Sequence, residues 1–281
     1  MMRHILVSAV VISLLLSGMA SGGDGVSYSG SSTIGQGILQ VGEAVKAFTK
    51  KTGIKFTSVE VAGSGAGIKA ILDGKVSLAG ASRPLSDDEI KKGLSGHTIG
   101  FDAIAVFVNK NNQVKNLTRE QLKGIFTGKI KNWKDVGGID APITPNTEML
   151  DKKRATIAVF QELVMDNAPY GKGFKEIDLP KDQLVYLAGN ETGICAVSIG
   201  LSNVIGENVH KKIKLVTVDG SLPIKANIRS GSYLISRPLL LVTKGQPKDD
   251  VKSFIDFMLS DEGQAIVERD FVSVKQKKSG K

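Results

Sequence analysis

Three short clusters hold the residue types that could do chemistry in this chain: Ser31-Ser32-Thr33, Ser64-Gly65 and Ser82-Arg83. Each ends a short apolar run of strand character, and the first two pass directly into helical periodicity. The first N–H groups of a helix lack internal partners and lie at the positive end of its dipole, so they favour an anion. Serine and threonine add hydroxyl donors, and glycine lets the backbone approach closely. In a parallel sheet such turns meet outside the carboxyl ends of the strands. Each hydrogen bond to a charged group contributes about 1.5–3 kcal/mol, so several together can hold a dehydrated oxyanion. One serine–glycine turn is an ordinary cap; three in succession point to an oxyanion site.

Other chemistries fare worse. Gly63-Ser64-Gly65-Ala66-Gly67 lacks the Gly-Lys-Ser/Thr ending of a phosphate loop and the downstream acid of a dinucleotide site. His97 and His210 stand in no metal-ligand or nucleophile spacing, and no G-x-S-x-G elbow is present. Asp87-Asp88-Glu89 reads as the acidic first turn of a helix entered at Ser86. The single cysteine, Cys195, sits in an apolar run and reads as a core residue. No enzyme activity, metal or cofactor is expected.

The elements that must position these clusters alternate as in an α/β protein. Strands are expected at residues 26–28, 55–61, 76–81, 101–109, 184–187, 195–199, 213–218 and 238–243. Helices are expected at 34–50, 68–72, 117–126 and 155–165, and from 249 to 259 continuing near 262–268. Residues 144–153 read as polar and irregular. At the start, Met1-Met2-Arg3-His4, an apolar run over 5–16 and the small residues Ser17-Gly18-Met19-Ala20 have the order of an export signal. Cleavage is expected after Ala20, giving a periplasmic protein. The net charge of +9 favours anionic partners. Low aromatic content argues against a nucleic-acid surface.

The chain resembles the phosphate-binding subunits of ABC importers, the PstS-like branch of the type II periplasmic binding proteins. The resemblance is carried by Gly30-Ser31-Ser32-Thr33, Gly63-Ser64-Gly65-Ala66-Gly67, Ala81-Ser82-Arg83-Pro84-Leu85 and Phe101-Asp102-Ala103-Ile104-Ala105-Val106. It continues through Ile125-Phe126-Thr127-Gly128-Lys129-Ile130-Lys131-Asn132-Trp133, Tyr233-Leu234-Ile235-Ser236-Arg237-Pro238-Leu239 and Phe257-Met258-Leu259-Ser260-Asp261-Glu262-Gly263-Gln264. It implies a two-lobed α/β fold with two crossover segments. A signal peptide at 1–20 would precede lobe one at 25–103 and 237–281, with lobe two at 104–236. It also implies capture of inorganic phosphate between the lobes by a monomer, and delivery to an ABC permease.

By position, the resemblance assigns phosphate contacts to Ser32, Thr33, Ile34 and Ser64, then to Ser82 and Arg83. In lobe two it assigns them to Arg154 and Thr156. Ser82 falls where some relatives carry an aspartate, so weaker discrimination against sulfate is expected. The family's arginine and Ser-Gly-Thr turn are missing from lobe two, where only Thr156 matches and Arg154 could supply the charge. That departure leaves open another oxyanion, or a sensing or interaction role on the same scaffold.

Overall fold

Glycine-rich turns and short apolar runs divide the chain into strands too short to stand alone, and the sheet is built by pairing segments distant in sequence. The computed structural model describes residues 25–152, 154–203 and 205–275. The export-signal segment, 1–20, lies outside the described residues. Eleven strands are present among the described residues: β1 (Val26–Gly30), β2 (Phe56–Glu60), β3 (Leu78–Ala81), β4 (Leu94–Asn109), β5 (Asn116–Leu117), β6 (Thr144–Glu148), β7 (Lys175–Ile177), β8 (Gly193–Ser198), β9 (Ile213–Val218), β10 (Ser236–Lys244) and β11 (Val272–Ser273). Their main order is β2-β1-β3-β10-β4-β8-β6-β7. The β1–β2 and β1–β3 pairs are parallel, as are β6–β7 and β6–β8.

The sheet joins two halves through one long strand. The first part of β4 pairs antiparallel with β10, and its second part pairs antiparallel with β8 and β9. Two main cores follow. One gathers Val26, Tyr28, Ile34, Phe48, Leu78, Leu239 and Phe254; the other gathers Val106, Leu122, Phe126, Trp133, Phe160 and Val216. Apolar burial at roughly 25 cal/mol per Å² makes each core a separate source of stability. Among the described residues, no helix is long and apolar enough to cross a membrane.

The structure corrects three elements. The helix expected over 34–50 is two: a π-helix, Thr33–Gln40, and an α-helix, Ala44–Thr52. Glu43, between them, takes a left-handed φ of 61°, which ends the first and redirects the chain. The strand expected at 184–187 is a helix, Pro180–Ala188. Pro180 opens it, and Pro180, Gln183, Leu184 and Leu187 form its buried face at helical spacing. Finally, the stretch expected to be irregular begins with β6, whose last three residues are buried despite being polar. The helix entry expected at Ser86 is present, where Ser86 closes a capping box with Glu89, and Thr118 closes another with Gln121. Cys195 is fully buried, and burial pushes its thiol pKa up, so it stays un-ionised in the core.

Candidate anion-binding site

On the first half, three strand ends are drawn together by backbone contacts. At the end of β1, the Ser31 amide donates to the Gly80 carbonyl at 2.9 Å. The π-helix then starts at Thr33, its wide turn closed by Val41 N–H donating to Gln36 O at 2.8 Å. Ser31 Oγ accepts from the Ile34 amide at 3.2 Å. The helix Ser64–Leu72 begins after Gly63, whose φ of 95° is open to glycine and strained for other residues. A Cβ at Gly67 would lie 2.4 Å from Gly30 Cα, so only glycine lets this helix seat on β1. Ser64 Oγ in turn accepts from the Ser82 amide at 3.1 Å, tying the second cluster to the third.

The second half supplies guanidinium. The helix Ala155–Leu163 is anchored by Phe160, whose ring sits 4.8 Å from that of Phe126 in an edge-on contact. That places Arg154 at the helix N-cap and Thr156 in its first turn. Arg154 is only 7 % exposed. Its Nη1 donates to Ser32 Oγ at 2.5 Å, reaching across to the first half, and its Nη2 donates to Asp178 Oδ1 at 2.6 Å. Its Nε lies 3.7 Å from Glu148 Oε2, at the end of β6.

A second guanidinium bridges both halves. Arg237 and Asp102 face each other across the β10–β4 pair, and both are buried. Arg237 Nε and Nη2 donate to Asp102 Oδ2 at 3.1 and 2.8 Å. Arg237 also donates through Nη2 to Thr33 Oγ1 at 3.1 Å and through Nη1 to Thr156 Oγ1 at 3.2 Å. A hydroxyl has one hydrogen and two lone pairs. Because each threonine accepts from Arg237, its own hydrogen is left for another acceptor. Asp102 is further held by the Gly200 amide at 3.4 Å. The arrangement is thus a set of oriented hydroxyl donors backed by buried positive charge, which suits an oxyanion.

Of the residues singled out in the sequence, Ser32 and Arg154 are in direct contact, and Thr33 and Thr156 share Arg237. Ser64 and Ser82 are bonded to each other and buried. Ile34 sits with its side chain in the core and its amide turned to Ser31 Oγ. Arg83 is not brought into this network. Its guanidinium grips Glu89 through both nitrogens, at 2.8 and 2.7 Å, and also donates to Pro84 O. Arg83 holds the Glu89 carboxyl below the usual glutamate range. Three participants were not singled out: Arg237, Asp102 and Glu148. The first two had a signal, an acid and a base each set at the edge of an apolar run, 103–108 and 238–242, where a buried charge calls for a partner. Glu148 had none.

Comparison with known proteins agrees with this geometry. A family model described as a PBP superfamily domain matches residues 17–262. The phosphate-binding protein PstS of Staphylococcus saprophyticus is 32% identical over 96% of this chain and 89% of its own length. A phosphate ABC transporter-type substrate-binding protein from Clostridium perfringens, solved with bound phosphate, is 35% identical with a TM-score of 0.79. It is matched over 90% of this chain and 100% of its own. An ABC-type phosphate transport receptor from Vibrio cholerae is 26% identical with a TM-score of 0.74, over 89% of this chain and 100% of its own. With its two halves joined through β4 and β10 and its strand-end hydroxyls gathered at their junction, the chain belongs to the PBP superfamily and, within it, to the PstS family.

Proposed function

We propose that this chain is an extracytoplasmic solute-binding protein that captures inorganic phosphate between two lobes and delivers it to an ABC importer. The observation that carries the reading is the pair of guanidiniums crossing the cleft: Arg154 to Ser32, and Arg237 to both Thr33 and Thr156. Hydroxyl donors from both halves are thereby gathered at one place beside buried positive charge, the arrangement an oxyanion needs. We assign the ligand contacts to Ser32, Thr33, Ser64, Ser82, Arg154 and Thr156. Lobe one comprises 25–103 with 237–281 and lobe two 104–236, a division supported by the two main cores. Export with cleavage after Ala20 is supported by the order of charge, apolar run and small residues in the first twenty positions.

Isothermal titration of the chain beginning at Ser21 tests the reading. Phosphate is expected to bind one to one and to raise the melting temperature by mass action. Silence with phosphate beside clear heat from another oxyanion would overturn the assignment.

A further inference from the structure

A phenylalanine ring fills the joint between the two halves. Phe271 follows the helix Asp261–Asp270, where its extended backbone (φ −122°) ends the helix and leads into β11, paired with β4 at Phe101 and Gly100. The ring belongs to the first core and the residue is 2 % exposed. It lies against a glycine on either side. One is Gly37, in the π-helix that begins at Thr33; the other is Gly200, in the short helix Ile199–Ser202 that follows β8 in the second half. A Cβ at Gly37 would lie 2.7 Å from Phe271 Cζ, and a Cβ at Gly200 would lie 2.0 Å from its Cε1. Neither glycine has a positive φ. Space for the ring, and not backbone conformation, is what requires glycine at both positions.

The elements that grip the ring also carry the anion site. Thr33 opens the π-helix, and the Gly200 amide donates to Asp102, whose other oxygen holds Arg237. Arg237 reaches Thr33 Oγ1 at 3.1 Å and Thr156 Oγ1 at 3.2 Å. Both distances stand at the long end of the hydrogen-bond range, so a displacement of about half an ångström breaks one of them. We propose that Phe271 is a positioning residue for the anion site: its ring, seated between Gly37 and Gly200, sets how closely the two halves meet, and so whether Thr33 and Thr156 both accept from Arg237. The inference rests on the phosphate reading above.

The chain around Phe271 is tied to both halves, which holds the ring in its seat. From the second half, Asn203 donates to Asp270 Oδ1 at 3.2 Å and the Lys225 ammonium donates to the Glu268 carbonyl. Toward the first half, Arg269 donates to the Gly42 carbonyl, just past the π-helix. The Ser273 amide donates to Glu268 Oε2 at 2.9 Å, fixing the turn from helix to β11. A joint packed this closely has no room for an added methyl, so either the ring or one of the halves must move when one is introduced.

The test is phosphate titration and calorimetric melting of the wild-type protein, Gly200→Ala, Phe271→Leu, the double variant and Phe254→Leu, with titrations at a temperature where each is folded. Phe254 is buried in the same core, on the helix Asp249–Leu259 beside Phe48 and Phe56, so its variant reports what lost core packing alone does. Gly200→Ala is expected to weaken phosphate binding by at least about tenfold, the loss of one hydrogen bond to a charged group. Phe271→Leu should weaken it by more than about threefold, whereas Phe254→Leu should lower the melting temperature and keep the affinity within about threefold of wild type. In the double variant the smaller leucine yields to the new methyl, and phosphate should bind more tightly than in Gly200→Ala alone. Phe271→Leu only removes atoms, and it decides the matter if Gly200→Ala does not fold. Affinities within about threefold of wild type in both single joint variants overturn this inference alone. So does a double variant no better than Gly200→Ala, or a loss in Phe254→Leu equal to that in Phe271→Leu. Absence of phosphate binding by the wild-type protein overturns the phosphate reading and this inference with it.

Discussion

Removing Arg237 should separate what it does for the fold from what it does for the ligand. In Arg237→Met, Asp102 would remain fully buried with only the Gly200 amide, at 3.4 Å, to satisfy it. Losing one partner of a buried ion pair costs about 3–5 kcal/mol, a large part of a stability of about 5–15 kcal/mol. For a chain of this size each kcal/mol moves the melting temperature by about 2–4 °C, so a fall of about 10 °C is expected. The ligand effect is separate. Thr33 and Thr156 would lose the donor that turns their hydrogens outward, and a hydrogen bond to a charged group contributes about 1.5–3 kcal/mol. Two misdirected hydroxyls therefore weaken phosphate binding by about two to four decades. The double variant Arg237→Met, Asp102→Leu resolves the two effects. Removing both charges should restore most of the melting temperature, because apolar replacement of a buried pair is often neutral or stabilising. It should leave the affinity low. Calorimetric melting and phosphate titration, run on all three proteins, read both quantities. A double variant that binds phosphate within about threefold of wild type would refute the claim that Arg237 orients the threonines.

Three further outcomes are expected. Gln183→Leu should hold or raise the melting temperature, because both polar atoms of the buried Gln183 lack partners among the described residues and their desolvation is uncompensated; a loss above about 1 kcal/mol in urea unfolding would count against this. Glu89→Gln should destabilise the protein at neutral pH: Glu89 has a lowered folded pKa, so its contribution is present above the unfolded value and is lost as pH falls through the folded one. Denaturation curves of wild type and variant should thus converge in acid, and a difference that persists there would contradict the argument. Gly67→Ala should cost about 1–3 kcal/mol by driving the helix Ser64–Leu72 off β1, and phosphate affinity should fall with it because Ser64 moves too; an unchanged melting temperature would be the contrary result.

Much of the first half was legible because its site lies where local rules are strong. Strand, turn and helix cap each leave a local mark, and Ser31 to Thr33, Ser64 and Ser82 all fall at such marks. The second half hid its contribution for a physical reason. β6 reads Thr144-Pro145-Asn146-Thr147-Glu148, with no apolar alternation, because its end is buried against polar groups instead of the core. Period-based reading cannot see such a strand. The helix Pro180–Ala188 was missed for a related cause: its buried face includes the polar Gln183, which breaks the apolar spacing on which helix recognition depends. Arg154 could be placed only through the chain on both sides of it. Phe160 fixes the helix after it, and the parallel pairing of β6 with β7 and β8 fixes the strand before it. Arg237 and Asp102 needed a further step, the pairing of β10 with β4 that sets the two charges opposite each other.

Cys195, itself fully buried in β8, carries a practical consequence. It is the chain's one thiol, and both its lack of exposure and its raised pKa keep it from reacting with an alkylating dye. A cysteine introduced at an exposed position, such as Leu234, would therefore be labelled alone and without removing the native one. The protein is in this respect already prepared as a fluorescent reporter, in which a single attached dye reads whether the distance between the two halves changes when phosphate is added.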